Sequence, residues 1–546
     1  MNSTTSTISI LSITFGKYRW QILALALLGL AGGILEGIGI GAIVPLLSFL
    51  TAGTEGISNP ITSAIASGFE FIGIPFKFRT VIGLIFILFF LRSIVLAVST
   101  YIRATINANF MNREMGELTS NTMNARWDFL LKQKAGYIQT IIVQQVQKTM
   151  NLFQTLAQVI QSFTGLAMYL VVAVSISWRI TVLTLVLGAV LFLLSRPLVK
   201  RTRNIGEQTT ELEKNVSHNI VEHLTGLKTV KASGKEEFVI SKIRNNLYLL
   251  RGLFIKNAVV RSLGTIFIQP IGFLFIMAIF AVTYRSPGFS IAVFAATAYL
   301  IQKIFVYVDS GQNALHGINE LVPYADNINK YKKQSQLATE MSSNTVKQFS
   351  FEDVIEFRDV SLSYEGRGEV ISDMNLTIQK GKVLGIVGPS GAGKTSFVDL
   401  LLRLFKPTKG TIYIDKQELE NISLRDWRDH IGYVSQELFL LNEDIESNIR
   451  FYDSSLSQKQ IEDAAKQAHI YDVIQKLPEG FKTNIGDRGV MLSAGQRQRI
   501  VLARVLARRP DILILDEATS ALDSEVEASI QAALARVMQG KTVLAI

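Results

Sequence analysis

The sequence predicts two fused units of different class: an N-terminal all-α polytopic membrane domain with six transmembrane helices, followed by a C-terminal α/β domain built around a phosphate-binding loop. Three observations predict it. Long apolar runs fill the chain up to about Val322 and then cease, so the mean hydropathy of +0.29 over 546 residues averages two unlike parts. Lys and Arg collect beside those runs. Between Gly388 and Asp523, three motifs suited to phosphate chemistry follow in order: GPSGAGKT (Gly388 to Thr395), LSAGQRQR (Leu492 to Arg499) and ILILDEATSALD (Ile512 to Asp523).

The first residues are Ser/Thr-rich and lack a basic region followed by a short apolar stretch and a cleavage site, so they do not read as a secretory signal, and the N-terminus is expected in the cytoplasm. Six segments then approach or exceed the roughly 20 apolar residues that a spanning helix needs: Trp20 to Leu50, Val81 to Ile106, Val159 to Ser177, Ile180 to Leu198, Ile266 to Tyr284 and Ile291 to Val308. The connections on the outer side are Thr51 to Arg79, Ser177 to Arg179 and Arg285 to Ser290. On the other side, Asn107 to Ile141 and Lys200 to Lys256 are polar with helical periodicity, which predicts spanning helices that continue far beyond the bilayer. These long connections hold Arg113, Arg126, Lys132, Lys134, Lys200, Arg201, Arg203, Lys214, Lys228, Lys231 and Lys235, so they are cytoplasmic by the positive-inside rule. That asymmetry also accounts for the net charge of +10 without nucleic acid, since the basic residues do not follow a nucleic-acid module.

Charges inside a bilayer are costly enough to need a reason, and Glu36 and Arg92 both fall at a depth of roughly 20 Å when counted inward from the outer ends of their segments. A Glu36–Arg92 pair holding two helices together is one reading. The other is that Arg92, with Lys303, attracts a phosphate-bearing head group, which suits guanidinium chemistry. Gly32, Gly33, Gly37, Gly39 and Gly41 are expected to permit close helix packing. With no cysteine, the chain has no disulfide, thiolate metal site or cysteine nucleophile.

The domain boundaries expected are 1–326 for the membrane domain, 327–350 for a polar linker and 351–546 for the α/β domain. Val354 to Phe357 and Val383 to Val387 read as strands, the second running into the glycine-rich loop. In that loop Gly388, Pro389, Ser390, Gly391, Ala392 and Gly393 would let backbone N–H groups curl around phosphate oxygens at a helix start. Lys394 supplies a charge to the β- and γ-phosphates, and Thr395 offers its hydroxyl to Mg²⁺. A helix is expected from Ser396 to Phe405. Ile512 to Leu515 reads as a buried strand that delivers Asp516 to the magnesium side, with Glu517 at its tip to orient the water that attacks the γ-phosphate.

An LSxGQ segment just upstream of such a strand resembles the ABC ATPases, and the whole chain resembles exporter-type ABC transporters, in which a membrane domain and an ATPase domain share one chain. The resemblance implies further roles by position. Tyr364 is the aromatic that stacks on adenine. Gln436 is the glutamine that joins Mg²⁺ coordination to the membrane domain, and Ser396 belongs to the phosphate site. Ser493, Gly495 and Gln496 form the signature loop, which contacts the nucleotide held by a second copy, and Asp523 lies across that interface. Ala494 departs from the commoner glycine but keeps its main-chain N–H. Gly486 to Gly489 (GDRG) resembles the exporter loop that meets the coupling helices, expected at Arg126 to Lys134 and Thr225 to Gly234.

The resemblance implies a half-transporter working as a homodimer in the bacterial inner membrane, with ATP and Mg²⁺ as ligands. It also implies a switch histidine directly after TVLAI. None of His218, His223, His316, His430 and His469 has that position, and the sequence ends at Ile546. Read as given, the residues bind ATP and hydrolyse it poorly, and the natural protein is expected to continue. For cargo, LEGIGIGAIVPLLSFL (Leu35 to Leu50) resembles flippases for lipid-linked oligosaccharides and related glycolipid exporters. A drug or peptide cargo is the second reading, and a membrane-bound ATPase that senses a ligand without moving it is a third of another class.

Overall fold

The computed structural model describes residues 7–43, 45–46, 49, 60–285, 289, 291–340, 348–364, 366, 368–516 and 540–546. By internal contacts the chain divides into one unit of Met1–Ala125 with Phe129–Thr339 and another of Arg126–Asp128 with Glu340–Ile546.

The first unit is helical. Its main elements are α1 (Thr7–Phe15), α2 (Arg19–Gly41), α3 (Pro60–Ile72), α4 (Phe78–Met123), α5 (Val146–Ile176), α6 (Trp178–Thr225), α7 (Glu236–Thr265), α8 (Ile268–Thr283) and α9 (Ile291–Leu337). Among the described residues, five stretches are long and apolar enough to cross a bilayer: Thr7–Gly41, Phe78–Met123, Gly136–Ile176, Trp178–Thr225 and Glu236–Thr283. The sixth apolar segment of the sequence forms the start of α9.

At 1.5 Å per residue the 46 residues of α4 reach roughly 70 Å, against a hydrocarbon core of roughly 30 Å. The expected extension beyond the membrane is therefore present, and α6 and α9 are of similar length. Short helices, Trp127–Leu131 and Leu227–Ala232, occupy the turns where coupling helices were expected. The break between α7 and α8 falls four residues before Pro270, whose ring cannot sit against the carbonyl of Ile266 in a continuous helix. Helices α1 and α3 were not anticipated. The stretch read as a linker is helical as far as Leu337.

Packing follows from which faces are apolar and which are small. Helix α9 lies against α5 and α6, and α2 against α4 and α5. One core joins Ile10, Phe15, Phe110, Leu152, Phe153, Val322 and Tyr331, and another joins Ile40, Tyr169, Val172, Leu300 and Ile304. Of the α2 glycines expected to permit close packing, Gly37 and Gly39 do so. A Cβ on Gly37 would come 3.0 Å from the Met168 side chain, and one on Gly39 would come 3.1 Å from the Phe89 ring. Phe86, Phe90, Leu193 and Leu194 remain exposed, as a lipid-facing surface requires.

The second unit has two sheets. An antiparallel sheet in the order β2-β1-β4-β5 contains β1 (Val354–Tyr364), β2 (Gly368–Gln379), β4 (Lys409–Ile414) and β5 (Gln417–Glu418). A parallel sheet in the order β3-β8-β7-β6 contains β3 (Val383–Gly385), β6 (Ile431–Val434), β7 (Ile512–Leu515) and β8 (Thr542–Ala545). All four residues of β7 are buried, which suits a strand covered on both faces. Phe357, Phe397, Leu401, Trp427 and Ile514 pack in one core of this unit. Another core gathers Ile445, Ile449, Ile474, Ile500 and Leu515. Helix α10 (Lys394–Leu401) follows the glycine-rich loop, and α11 (Ala494–Ala507) follows Ser493.

Candidate functional site

The parallel sheet determines where the chemistry gathers. Ligands of open α/β sheets sit beyond the carboxyl ends of the strands. There β3 leads to Gly388, β6 to Ser435 and Gln436, and β7 to Asp516. Register ties the three strands together: β3 pairs with β8, β8 with β7, and β7 with β6, so that Val434 lies opposite Leu515. Asp516 N–H donates to the Val434 carbonyl at 3.0 Å, which fixes the strand tip.

The glycine-rich loop has the backbone that a phosphate cradle needs. Gly391 and Gly393 have φ of +84° and +88°, conformations that an L side chain adopts only with strain. Gly393 is also the N-cap of α10, so the loop ends on a helix N-terminus where anions are favoured. Lys394 Nζ donates to the Gly388 and Pro389 carbonyls at 2.7 and 3.0 Å, which folds the side chain over its own loop. Pro389, Ser390, Ala392 and Thr395 are exposed. Ser396 is buried, and its Oγ accepts from the Tyr364 hydroxyl at 3.0 Å. The Tyr364 ring meets Phe405 edge-on, with centroids 5.0 Å apart.

Asp516 is buried, and the Tyr433 hydroxyl approaches its Oδ2 at 3.4 Å. Asp399, on α10, was missed in the sequence. Burial and the nearby Asp516 carboxylate push its carboxyl up to about 6. Burial and the same two acids push Tyr433 up to about 12. The available signal was a lone acid inside the apolar run SFVDLLL. Gln436 is exposed on the loop after β6. Arg504, also missed, supports that loop from beneath: its guanidinium donates to the Phe439 and Asn448 carbonyls at 2.8 Å and lies 4.2 Å from the Phe451 ring centre. Glu517 and Asp523 lie outside the described residues.

At the signature segment, Ser493 is the N-cap of α11. Its Oγ accepts from the Gln496 N–H at 3.3 Å, and Gln496 Oε1 accepts from the Ser493 N–H at 2.9 Å, a reciprocal capping box. The Gln496 side chain is thereby committed to the cap, while Ser493 and Ala494 stand exposed at the helix start and Gly495 is buried. In GDRG, Gly489 has a φ of +69°, which favours glycine, and a Cβ there would come 2.7 Å from the Leu440 side chain.

The membrane unit has its own polar cluster. Glu36, on α2, is 5% exposed in its side chain, with Arg92 Nη2 2.9 Å from Oε2 and Lys303 Nζ 3.8 Å from Oε1. The Tyr307 hydroxyl donates to Oε2 at 3.2 Å. The cluster thus joins α2, α4 and α9. Breaking such a buried arrangement by removing one partner typically costs about 3–5 kcal/mol.

Comparison with known proteins bears on both units. The ABC transporter transmembrane region family matches residues 24–303, and the ABC transporter family matches residues 371–520. The chain is 28% identical over 530 residues to the heterocyst differentiation ATP-binding protein HepA of a Nostoc species, covering 94% of this chain and 84% of that protein. It is 30% identical to an ATP-dependent lipid A-core flippase of Acinetobacter baylyi over 85% of this chain and 81% of the other. A bacterial Atm1-family ABC exporter solved with ATP bound shares the fold at a TM-score of 0.76 and 21% identity, with 97% of this chain and 91% of that chain covered.

Proposed function

Because the chain belongs to the ABC transporter family, with the membrane region fused to the ATPase region as in exporters, we propose that it moves an amphipathic lipid or lipid-linked sugar across the bacterial inner membrane. The protein spans the membrane, binds ATP, and couples ATP hydrolysis to transport. The lipid cargo is supported by similarity to lipid A-core flippases, at 30% identity for the Acinetobacter baylyi protein.

In this reading the exposed loop from Gly388 to Gly393 cradles the phosphates, and Lys394 exchanges its two carbonyl acceptors for phosphate oxygens. Tyr364 offers its ring to adenine, and Ser396 supports that ring's hydroxyl. The hydroxyl of Thr395, the amide oxygen of Gln436 and the carboxylate of Asp516 form an all-oxygen donor set, which fits a small hard cation such as Mg²⁺. Bound there, the ion would neutralise charge on the phosphate oxygens. Glu517 orients the attacking water. The single observation that carries these roles is the convergence of the segments after β3, β6 and β7 at one end of a single parallel sheet.

Ser493, Gly495, Gln496 and Asp523 act across a homodimer, each copy completing the other's site. The start of α11, with its exposed serine hydroxyl, suits contact with an anion. Closure around two nucleotides then alternates the access of the helix bundle. Arg92, Glu36 and Lys303 shape the cargo path, the single carboxylate of Glu36 facing both Arg92 and Lys303.

The test is translocation in vesicles that hold the purified protein. ATP-dependent movement of a fluorescent glycolipid, abolished by Lys394→Ala, is the result expected. Movement of a cationic dye in its place would overturn the lipid cargo, and ATP hydrolysis with neither moved would favour a sensor.

A further inference from the structure

We infer that the membrane unit holds a binding site for a phosphate-bearing sugar, walled by a row of amide side chains on α5 and by Arg103 on α4; the inference rests on the lipid-sugar reading above and specifies its chemistry. Gln147, Asn151, Gln154, Gln158 and Gln161 follow one another at intervals of four, three, four and three residues, so they form one face of α5. All five are exposed. The row runs from Gln161, inside the segment Val159 to Ser177 expected to span the bilayer, where hydrocarbon would leave an amide without partners, to Gln147 on the cytoplasmic extension of α5. It marks an aqueous wall.

A cavity of about 530 Å³ lies against this row, lined among others by Gln154, Gln158, Gln161, Asn107, Arg103 and Tyr307 from α4, α5 and α9. That volume is ordinary for a small-molecule site, but its lining is not, since such sites are mostly apolar. A smaller cavity shares Arg103, Gln161 and Tyr307 and is lined also by Glu36 and Arg92.

Two features define the ligand. The Gln and Asn amides each present both donors and acceptors, which matches hydroxyl groups that also do both. Among the described residues no carboxylate lines the larger cavity, so a cation finds no counter-charge on this wall. Arg103 meets no carboxylate within ion-pair distance among the described residues; its Nη2 donates to Thr100 Oγ1 at 3.3 Å. A guanidinium on a polar cavity wall, without an acid beside it, suits the planar, bidentate recognition of phosphate. A polyhydroxylated ligand with one anionic group satisfies both halves of the wall, whereas a hydrophobic cation satisfies neither.

Binding to the protein in phosphatidylcholine nanodiscs tests this with four probes: polyprenyl monophosphoryl glucose, phosphatidic acid, a neutral glucosyl diacylglycerol, and soluble glucose 1-phosphate. Arg103→Gln should weaken the two sugar phosphates and phosphatidic acid roughly tenfold, as loss of a charged hydrogen bond does, and leave the neutral glycolipid unchanged. Gln154→Leu with Gln158→Leu should weaken the three sugar-bearing probes by a similar factor and spare phosphatidic acid. Each variant's retained probe reports that it is folded, and Arg103→Lys should restore most of the phosphate response. A lipid source is supported if the polyprenyl probe binds more tightly than glucose 1-phosphate. Equal binding assigns the site to the soluble sugar phosphate.

Failure of this site and failure of lipid transport are separable. If the wild-type protein translocates glycolipid while both variants bind all probes as it does, the site is overturned and the transport reading stands. If the selective losses appear but no lipid is moved, the site stands and the transport reading fails. Binding of no probe by the wild-type protein overturns the site, as does loss of all probes together with dissociation of the copies, which would make the amide row a packing seam.

Discussion

Lys394 donates to two carbonyls of its own loop, so phosphate binding replaces neutral acceptors with charged ones and the exchange is favourable. Lys394→Ala should lower ATPase activity by a factor on the order of 10² or more, read by phosphate release. Tyr364 separates two roles that one ring performs. Tyr364→Phe loses only the hydroxyl bond to Ser396 and should bind ATP nearly as the parent does, whereas Tyr364→Ala should weaken ATP binding roughly tenfold, the scale of one lost base stack. Equal effects of the two would place the adenine elsewhere. Away from the site, Glu446 is held below the usual carboxylate range, first by its hydrogen bond with Arg450, at 2.9 Å, and also by Lys482, 3.2 Å away. A depressed acid contributes stability above its unfolded pKa and loses it as pH falls through the folded one. Glu446→Gln should therefore lower the melting temperature by a few degrees at pH 7, with the difference closing below about pH 4. A pH-independent difference would contradict the pairing.

At the scale of elements, small residues decide how closely the helices pass. A Cβ on Gly165 of α5 would lie 2.3 Å from the Tyr307 ring of α9, and one on Gly206 of α6 would lie 2.6 Å from the Glu320 carbonyl. Gly165→Ala should cost about 1–3 kcal/mol by forcing that ring aside, and Tyr307→Ala in the same chain should recover part of it, measured by thermal melting in detergent. Much at this scale was legible. The apolar runs foretold the spanning stretches, and the strand before GPSGAGKT and the run ILIL appear as β3 and β7. What escaped notice has a common cause. The end of α9 from residue 327 to Leu337 is rich in Lys, Gln and Asn and carries too little apolar contrast to show a helix against a linker. Asp399 and Arg504 belong to no motif, and only packing brings them to the site. The Glu36–Arg92 pair, by contrast, was readable, because two charges at equal depth in apolar segments have few other partners.

For the whole molecule, the proposed mechanism draws movement of the membrane unit from nucleotide cleavage between two copies. The absence of cysteine in the sequence allows that to be examined without background thiols. Ser390 lies in the exposed phosphate loop and Ser493 at the exposed start of α11, so thiols placed at both positions can join two copies where one copy's loop faces the other's helix. The most direct measurement is disulfide cross-linking of a Ser390→Cys, Ser493→Cys protein in proteoliposomes, followed through lipid translocation. The expected result is an ATP-dependent cross-linked dimer in which transport stops and resumes on reduction. A protein that cleaves ATP and moves lipid while the two thiols never join, or that keeps transporting when they are joined, would contradict it.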